Sequence, residues 1–392
     1  MADNTISSSL QENIVIGATE ALSESMALLA GVQMNAQPDP GNKGQSFNVG
    51  EYDDKTASDV TASNVSPDAD ASTLGAKTIT LSQHKKANFK LKGTEFQNNN
   101  LDMTFMSQVQ EVVRAVVYQM NSDLMSLYTK IPYYSGNAAR SLFNDGTNAS
   151  VDPLADVGKV LNDNRVRQET WKLFVSPTEE ANAKKVASLQ QANTFGRDNV
   201  IYNGFVGRTM GFDMYMDQQV PTHTAGTITT GLATKAATTQ AVGTTSLVCT
   251  TAASTGACAL LVGDIISVDG KTYTLQANAT QASAATDVTL TLDRGLEIEV
   301  TGGEAVTIAT GFGDGVQNIA GDMSGFGLVN RIEATDFYGG GTLENRMIVT
   351  HPSGVSLSMG TYRQYKQSLF ECSALYGVQV VDSRKLVRAL GA

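Results

Sequence analysis

Apolar positions recur at helical spacing most clearly in "TFMSQVQEVVRAVVYQMNSDLMSLYTKIP". There Val109, Val112, Val113, Val116, Met120, Leu124, Leu127 and Ile131 fall on one face, and Pro132 ends the run. The pattern predicts a helix of roughly 27 residues, about 40 Å long at ~1.5 Å per residue. Its stripe reads as core packing. A shorter stripe of Leu10, Ile14, Ala18, Leu22 and Leu29 follows a capping box from Ser9 to Glu12, and Gly31 suits the stop. The next stretch, "QPDPGNKG", carries two prolines and two glycines and predicts a break in regular structure.

Alternation by two takes over in "QSFNVGEY" and "AKTITLSQHKKANFKL", which predict the two arms of one projecting hairpin. Between them "DDKTASDVTASNVSPDADAST" has almost nothing to bury. "KLFVSPTEEANAKKVASLQQ" predicts a buried strand and then a helix. Ser176 caps that helix, Pro177 takes its first position, and Glu179 and Glu180 suit its positive end. In "YNGFVGRTMGFDMYMDQQVP" the spacing of Gly204, Gly207 and Gly211 imitates a phosphate-binding loop. Such a loop needs a helix after it to present amides to phosphate. Here Phe212, Met214 and Met216 alternate with Asp213, Tyr215 and Asp217 up to Pro221, which predicts a half-buried strand. The glycines shape turns.

After Pro221 the composition changes abruptly. Residues 222–310 are crowded with threonine and alanine and contain one aromatic, Tyr273. "GDIISVDGKTYTL" predicts a hairpin turning at Asp269-Gly270, and "DVTLTL" and "EAVTIA" predict further strands. "RMIVTHPSGVSLSM" and "SALYGVQVVDSRKLVRAL" then supply strands returning to the main body. The class is α+β, with an all-β domain inserted into an interrupted mixed domain.

Composition adds to this picture mainly through charge. The 392 residues carry 28 basic and 39 acidic side chains, a net charge of −11. A dedicated nucleic-acid binder would show the opposite sign or a basic stripe. The charge is split locally: Glu51, Asp53, Asp54, Asp59, Asp68 and Asp70 stand against Lys55 in residues 51–70. Residues 77–92 hold Lys77, Lys85, Lys86, Lys90 and Lys92 and no acid. Cys249, Cys258 and Cys372 sit among small or apolar neighbours, without zinc spacing, and read as buried. A Cys249–Cys258 bridge is disfavoured in a reducing cytoplasm. His84, His223 and His351 are scattered and form no HExxH or triad pattern. Asp264 and Asp269 lack the spacing of a calcium loop and read as turn residues. The N-terminal apolar stretch is interrupted by Glu20 and Glu24 and lacks a basic start, so it does not read as a signal peptide. No run of 18 apolar residues predicts a membrane span.

The order of these segments resembles the major capsid proteins of tailed double-stranded DNA bacteriophages. "KLFVSPTEEANAKK" resembles the strand-to-helix entry of their axial domain. Gly211, Phe212, Asp213, Tyr215 and Pro221 are similar to their "G-F-D-x-Y" hairpin and its proline, and "ALYGVQVVDSRKLVRA" resembles their closing strand. An insertion directly after the proline is similar to the short-tailed branch whose coat protein carries an extra β-barrel. The resemblance implies an N-arm over 1–41, an extended loop over 42–95, and a peripheral domain over 96–154 with its spine helix at 100–131. It implies an axial domain over 155–221 and 311–392, interrupted by the insertion 222–310.

The same resemblance implies a non-enzymatic subunit that self-assembles as hexamers and pentamers into an icosahedral virion shell, put together in the bacterial cytoplasm. Its partners would be a separate scaffolding protein, a portal, a decoration protein and enclosed DNA held without sequence-specific contact. No cofactor, metal or membrane is implied. An encapsulin-like compartment keeps the fold and changes the contents. A β-sandwich-bearing binding protein or hydrolase is the remaining alternative, and no clustered catalytic side chains speak for it. A shell subunit needs many modest contacts repeated by symmetry. Asp53, Asp54 and Asp59 are the acidic candidates for such contacts, and Lys85, Lys86, Arg363 and Lys366 are the basic ones.

Overall fold

The strongest apolar stripe in the sequence forms the helix Leu101–Met125, continued by a 3-10 turn over Ser126–Lys130. Ile131 then turns extended ahead of Pro132, which ends the helical path. All eight residues of the expected stripe are buried, and Val117 and Met125 are buried with them. The structure, a computed structural model, describes residues 28–29, 32–51, 57, 59, 75–92, 101–190, 208–228, 232–235, 239–251, 258–281, 287–334, 343–350 and 355–392. The expected arm helix and its Gly31 stop fall outside these residues, although Leu28 and Leu29 are described and buried. The fold is α+β, and it divides into two units whose boundary falls within the long helix, between Val117 and Tyr118.

The first unit takes in residues 33–117 and 326–382. Its main sheet runs Gln33–Gly41, Phe326–Glu333, Gln367–Val380, Ser356–Gln364, Leu343–Thr350, with Gln83–Lys92 also paired to Gln367–Val380. The aromatic residues Phe89, Phe105 and Phe370 pack the helix against this sheet. Phe105 meets the other two edge-on at 5.8 and 5.0 Å. Such pairs contribute about 0.5–1.5 kcal/mol beyond the area they bury.

Two expectations are corrected here. The proline-bearing segment does not break regular structure: Gln33–Gly41 is a strand, parallel to Phe326–Glu333, with a register shift between Ala36 and Pro40. It is an edge strand, where a proline lacking its N–H costs no ladder bond on the open side, and the shift absorbs the mismatch. The lysine-bearing stretch is not one arm of a hairpin either. Gly75–Thr80 pairs with Ser46–Glu51, whereas Gln83–Lys92 leaves that pair and runs antiparallel to Gln367–Val380 over ten residues. Leu81 at the corner is buried with Ile79, Val329 and Leu375, so the chain bends to bury it.

The second unit takes in residues 26–32, 118–325 and 383–392. One sheet runs Tyr134–Gly136, Leu386–Gly391, Gly315–Gly321, Lys172–Val175, Phe212–Met216, Arg208–Thr209, with Thr222–His223 also on Gly315–Gly321. The helices Asp152–Asp163 and Pro177–Lys185 belong to the same body. The capping expectation holds: Ser176 Oγ accepts from the Glu179 amide at 3.3 Å, with Pro177 in the first turn. Trp171 stacks on Phe212 at 5.0 Å inside a core that includes Leu154, Val157, Leu161 and Leu173.

Met210 and Gly211 both take positive φ in a two-residue turn between Arg208–Thr209 and Phe212–Met216. The turn role assigned to Gly211 therefore stands, while Gly204 and Gly207 lie outside the described residues. In the strand that follows, Phe212 is buried and Met214 packs on the core, but Met216 is exposed. Among the described residues that strand lies next to the sheet edge, beside the two-residue strand Arg208–Thr209.

Residues 222–310 are strand-rich, as expected. Among the described residues one sheet runs Thr227–Ile228, Cys258–Leu260, Ala279–Gln281. A second runs Lys271–Thr274, Ile265–Val268, Ala305–Ile308, Leu232–Thr234, Ser246–Thr251, Asp287–Thr291. The Asp269-Gly270 turn forms with positive φ at both residues. Tyr273, Leu247, Leu260, Val268 and Leu290 are buried in a core belonging to this segment. Residues 311–392 do not stay together as one axial half. Gly315–Gly321 and Leu386–Gly391 complete the second unit's sheet, while Phe326–Val380 supplies strands to the first. The reason is pairing: Gln367–Val380 finds its partners in Gln83–Lys92 and Phe326–Glu333.

Candidate subunit-contact residues and a buried polar junction

The seven contact candidates are distributed unevenly. Asp53 and Asp54 lie outside the described residues, and Asp59 is exposed. Lys86 is engaged on its own chain, its Nζ 3.2 Å from Glu371 Oε2 across the adjacent strand. Lys85 is half-buried opposite Ala374. Arg363 pairs in register with Ser368, and Lys366 sits at the turn of the same hairpin with φ 55°. Lys366 Nζ lies 5.4 Å from the centre of the Tyr365 ring, which is 87% exposed. The structure thus brings Arg363 and Lys366 to one hairpin end.

Sequence reasoning missed a different cluster. His223, just after Pro221, is 3% exposed and lies between two partners: its Nε2 is 2.8 Å from Asp264 Oδ1, and its Nδ1 is 3.0 Å from the Tyr128 hydroxyl. With the proton on Nε2, the ring donates to the carboxylate and accepts from the phenol, so both nitrogens are satisfied. Asp264 is fully buried and also accepts from the amides of Leu261 at 2.7 Å and Gly226 at 3.0 Å. This aspartate ties the start of the β insert to one of its inner turns. Its role as a turn residue holds, with a buried carboxylate as the agent.

Arg388 completes the cluster from Leu386–Gly391. Its Nε donates to the Ile131 carbonyl at 2.7 Å and its Nη1 to the Gly263 carbonyl at 2.8 Å. Tyr128 and Phe312 flank the guanidinium with ring centres at 5.5 and 5.7 Å. Burial lowers the Arg388 pKa to about 9, against the opposing pull of Tyr128, Asp293 and Asp264. Desolvation likewise raises Tyr128 and Asp293 above their ordinary values. Gly263 has φ +94°, and a Cβ there would stand 2.9 Å from Thr129 Cγ2, so only glycine allows this approach. The sequence signal was faint: a histidine two residues after a proline, and Gly263-Asp264 ahead of an apolar strand.

The chemistry of these groups is structural. His223, Asp264 and Arg388 are buried, Tyr128 is half-buried, and each is engaged with protein partners. Cys249, Cys258 and Cys372 are buried free thiols, and burial pushes Cys249 and Cys372 up to about 12, far from a reactive thiolate. Among the described residues no group of three or more His, Cys, Asp or Glu side chains could hold a metal ion. A cleft of about 250 Å³ is lined by Arg140, Asp145, Asp152 and Asp156 among others. Among the described residues no helix is long and apolar enough to cross a membrane.

No protein-family model matches the chain, and no curated protein matches it in sequence. Solved structures similar to it include the capsid structure of the cyanophage P-SCSP1u, at 10% identity over 94% of this chain and 88% of that one, with a TM-score of 0.49. A chain of Mycobacterium phage Che8 is 12% identical over 89% and 86%, with a TM-score of 0.46. A virus-like particle from Pyrococcus furiosus is 10% identical over 96% and 98%, with a TM-score of 0.42.

Proposed function

We propose that this chain is the structural subunit of an icosahedral shell, the major capsid protein of a tailed double-stranded DNA bacteriophage. The observation that carries the reading is the order of elements. The sequence motifs imply, in succession, a paired loop, a long helix, a strand-to-helix entry, a β insert directly after Pro221, and closing strands. The described residues follow that succession: Ser46–Glu51 with Gly75–Thr80, Leu101–Met125, Lys172–Val175 into Pro177–Lys185, strands from Thr227 to Ile308, and Leu386–Gly391. Sheets that depend on strands far apart in sequence suit a subunit built to hold shape under many weak contacts.

On this reading residues 1–41 serve as an arm, 42–95 as an extended loop and 222–310 as the insertion. The subunit works without catalysis, forms hexamers and pentamers with its own copies, and uses a separate scaffolding protein and a portal. The enclosed DNA is held without sequence-specific contact, and assembly takes place in the bacterial cytoplasm. An encapsulin-like compartment is the second reading, because the same chain shape would enclose a protein cargo.

Negative-stain microscopy of the purified protein, alone and with a co-expressed scaffold candidate, tests the proposal. Closed, uniform particles that appear or improve with scaffold are expected. A protein that stays monomeric under both conditions would overturn it, and particles formed around a co-purifying enzyme would favour the compartment.

A further inference from the structure

The insert and its base hold separate apolar cores. Among the described residues sixteen buried side chains cluster within the insert and fifteen within the base, whereas the cluster touching both has four: Ile265, Ala309, Phe312 and Leu390. Tyr134, Ala225 and Ile308 pack on that cluster partly buried, and Arg294 of the insert lies 5.1 Å over the Tyr133 ring of the base. Polar links add to these: Arg388 to Gly263, Asp264 to His223 on the strand that pairs with the base, Gln276 Nε2 donating to the Thr129 carbonyl at 3.1 Å, and the Tyr134 hydroxyl donating to the Thr310 carbonyl at 3.0 Å. The two connecting strands of chain carry Gly226 on the way in and Gly311, Gly313 and Gly315 on the way out.

We propose that this seam is a hinge. The insert undocks from its base as a unit, pivoting on the two glycine-bearing connections, with Arg388 as the pin that holds it closed.

The physical reason lies in what opening exchanges. Parting an apolar interface exposes carbon to water, with nothing to offset the loss. Parting this seam lets each polar group trade a protein partner for water, so the net cost per bond is small. Opening should therefore take much less free energy than unfolding either core. The hinge stands independently of the shell reading. Its use rests on that reading, since a subunit repeated in pentamers and hexamers meets unlike neighbours and gains from an insert that can change attitude.

Hydrogen exchange on the full chain tests the hinge. In the wild type, the seam amides of Ala225, which donates to Asp314 Oδ1 at 2.7 Å, and Ala138, which donates to the Gly311 carbonyl at 2.9 Å, should exchange about tenfold or more faster than those of Ser246–Thr251 in the insert and Lys172–Val175 in the base. In Arg388→Met the seam amides should accelerate about tenfold further, while both sets of core amides stay within about twofold of wild type. Equal exchange of seam and insert core in the wild type would overturn the proposal, and so would insert-core amides that accelerate with the seam in the variant. Should Arg388→Met not fold, the wild-type comparison decides alone.

Discussion

His223 Nε2 stands 2.8 Å from Asp264 Oδ1, both side chains buried, although 41 residues separate them in the chain. The first strand after Pro221 is thereby fastened to an inner turn of the β insert. Replacing Asp264 by Ala leaves the His223 ring and the Leu261 and Gly226 amides without their acceptor. Loss of about 3 kcal/mol is expected from stranding buried donors of a charged acceptor. Urea denaturation of the unassembled subunit measures it; a loss below about 1 kcal/mol would mean that water takes over the aspartate's role.

The close approach at Gly263 gives a separable test. Gly263→Ala places a methyl against Thr129 Cγ2 and forces a positive φ on alanine. A cost of about 1–3 kcal/mol is expected. Gly44→Ala is the control, because it has positive φ and open space. Gly44→Ala should be the milder of the two, and equal losses would assign the effect to backbone conformation alone.

Ser176→Ala removes the oxygen that caps Pro177–Lys185. The expected loss is about 1 kcal/mol, read from a denaturation midpoint with unchanged slope.

Glu179 is fully buried and accepts from the Ser141 hydroxyl at 2.6 Å and the Leu142 amide at 3.1 Å. Desolvation outweighs these bonds and raises its pKa above the usual glutamate value. The stabilisation tied to its protonated form is full below that usual value and is lost as pH rises through the folded-state pKa. Wild type should therefore gain stability relative to Glu179→Gln as pH falls from neutrality toward 5. Parallel stability–pH curves for the two proteins would remove Glu179 as the source.

The acidic candidates keep their test in a revised setting. Lys86 already pairs with Glu371, so the exposed Lys366 at the hairpin turn is the better basic partner for a neighbouring copy. Replacing Asp53, Asp54 and Asp59 with Asn should weaken assembly and flatten its salt dependence, leaving subunit stability nearly unchanged. Each exposed pair contributes only ~0.2–1 kcal/mol, and screening acts beyond about 8 Å at physiological salt. Light scattering against ionic strength reads the effect. Superimposed wild-type and mutant curves would make these acids a solvated surface.

The sequence by itself determined what depends on near neighbours. The stripe from Val109 to Ile131 closes within a turn or two of helix, the Ser176 cap reaches three residues, and the Asp269-Gly270 turn needs only local dihedrals. Each is set by periodicity or by short-range bonds. Tertiary structure alone decided which strands pair. Gln83–Lys92 alternates as a hairpin arm would, yet alternation carries no address, and Phe89 finds Phe370 rather than a hairpin partner. Pro38 and Pro40 look like breakers until the segment is seen to occupy a sheet edge. The junction was the least legible part, because Tyr128, His223, Asp264 and Arg388 each look ordinary in sequence. The burial of His223, Asp264 and Arg388, with Tyr128 half-buried against them, is what turns four separate polar groups into one seam, and burial is a property of the folded chain.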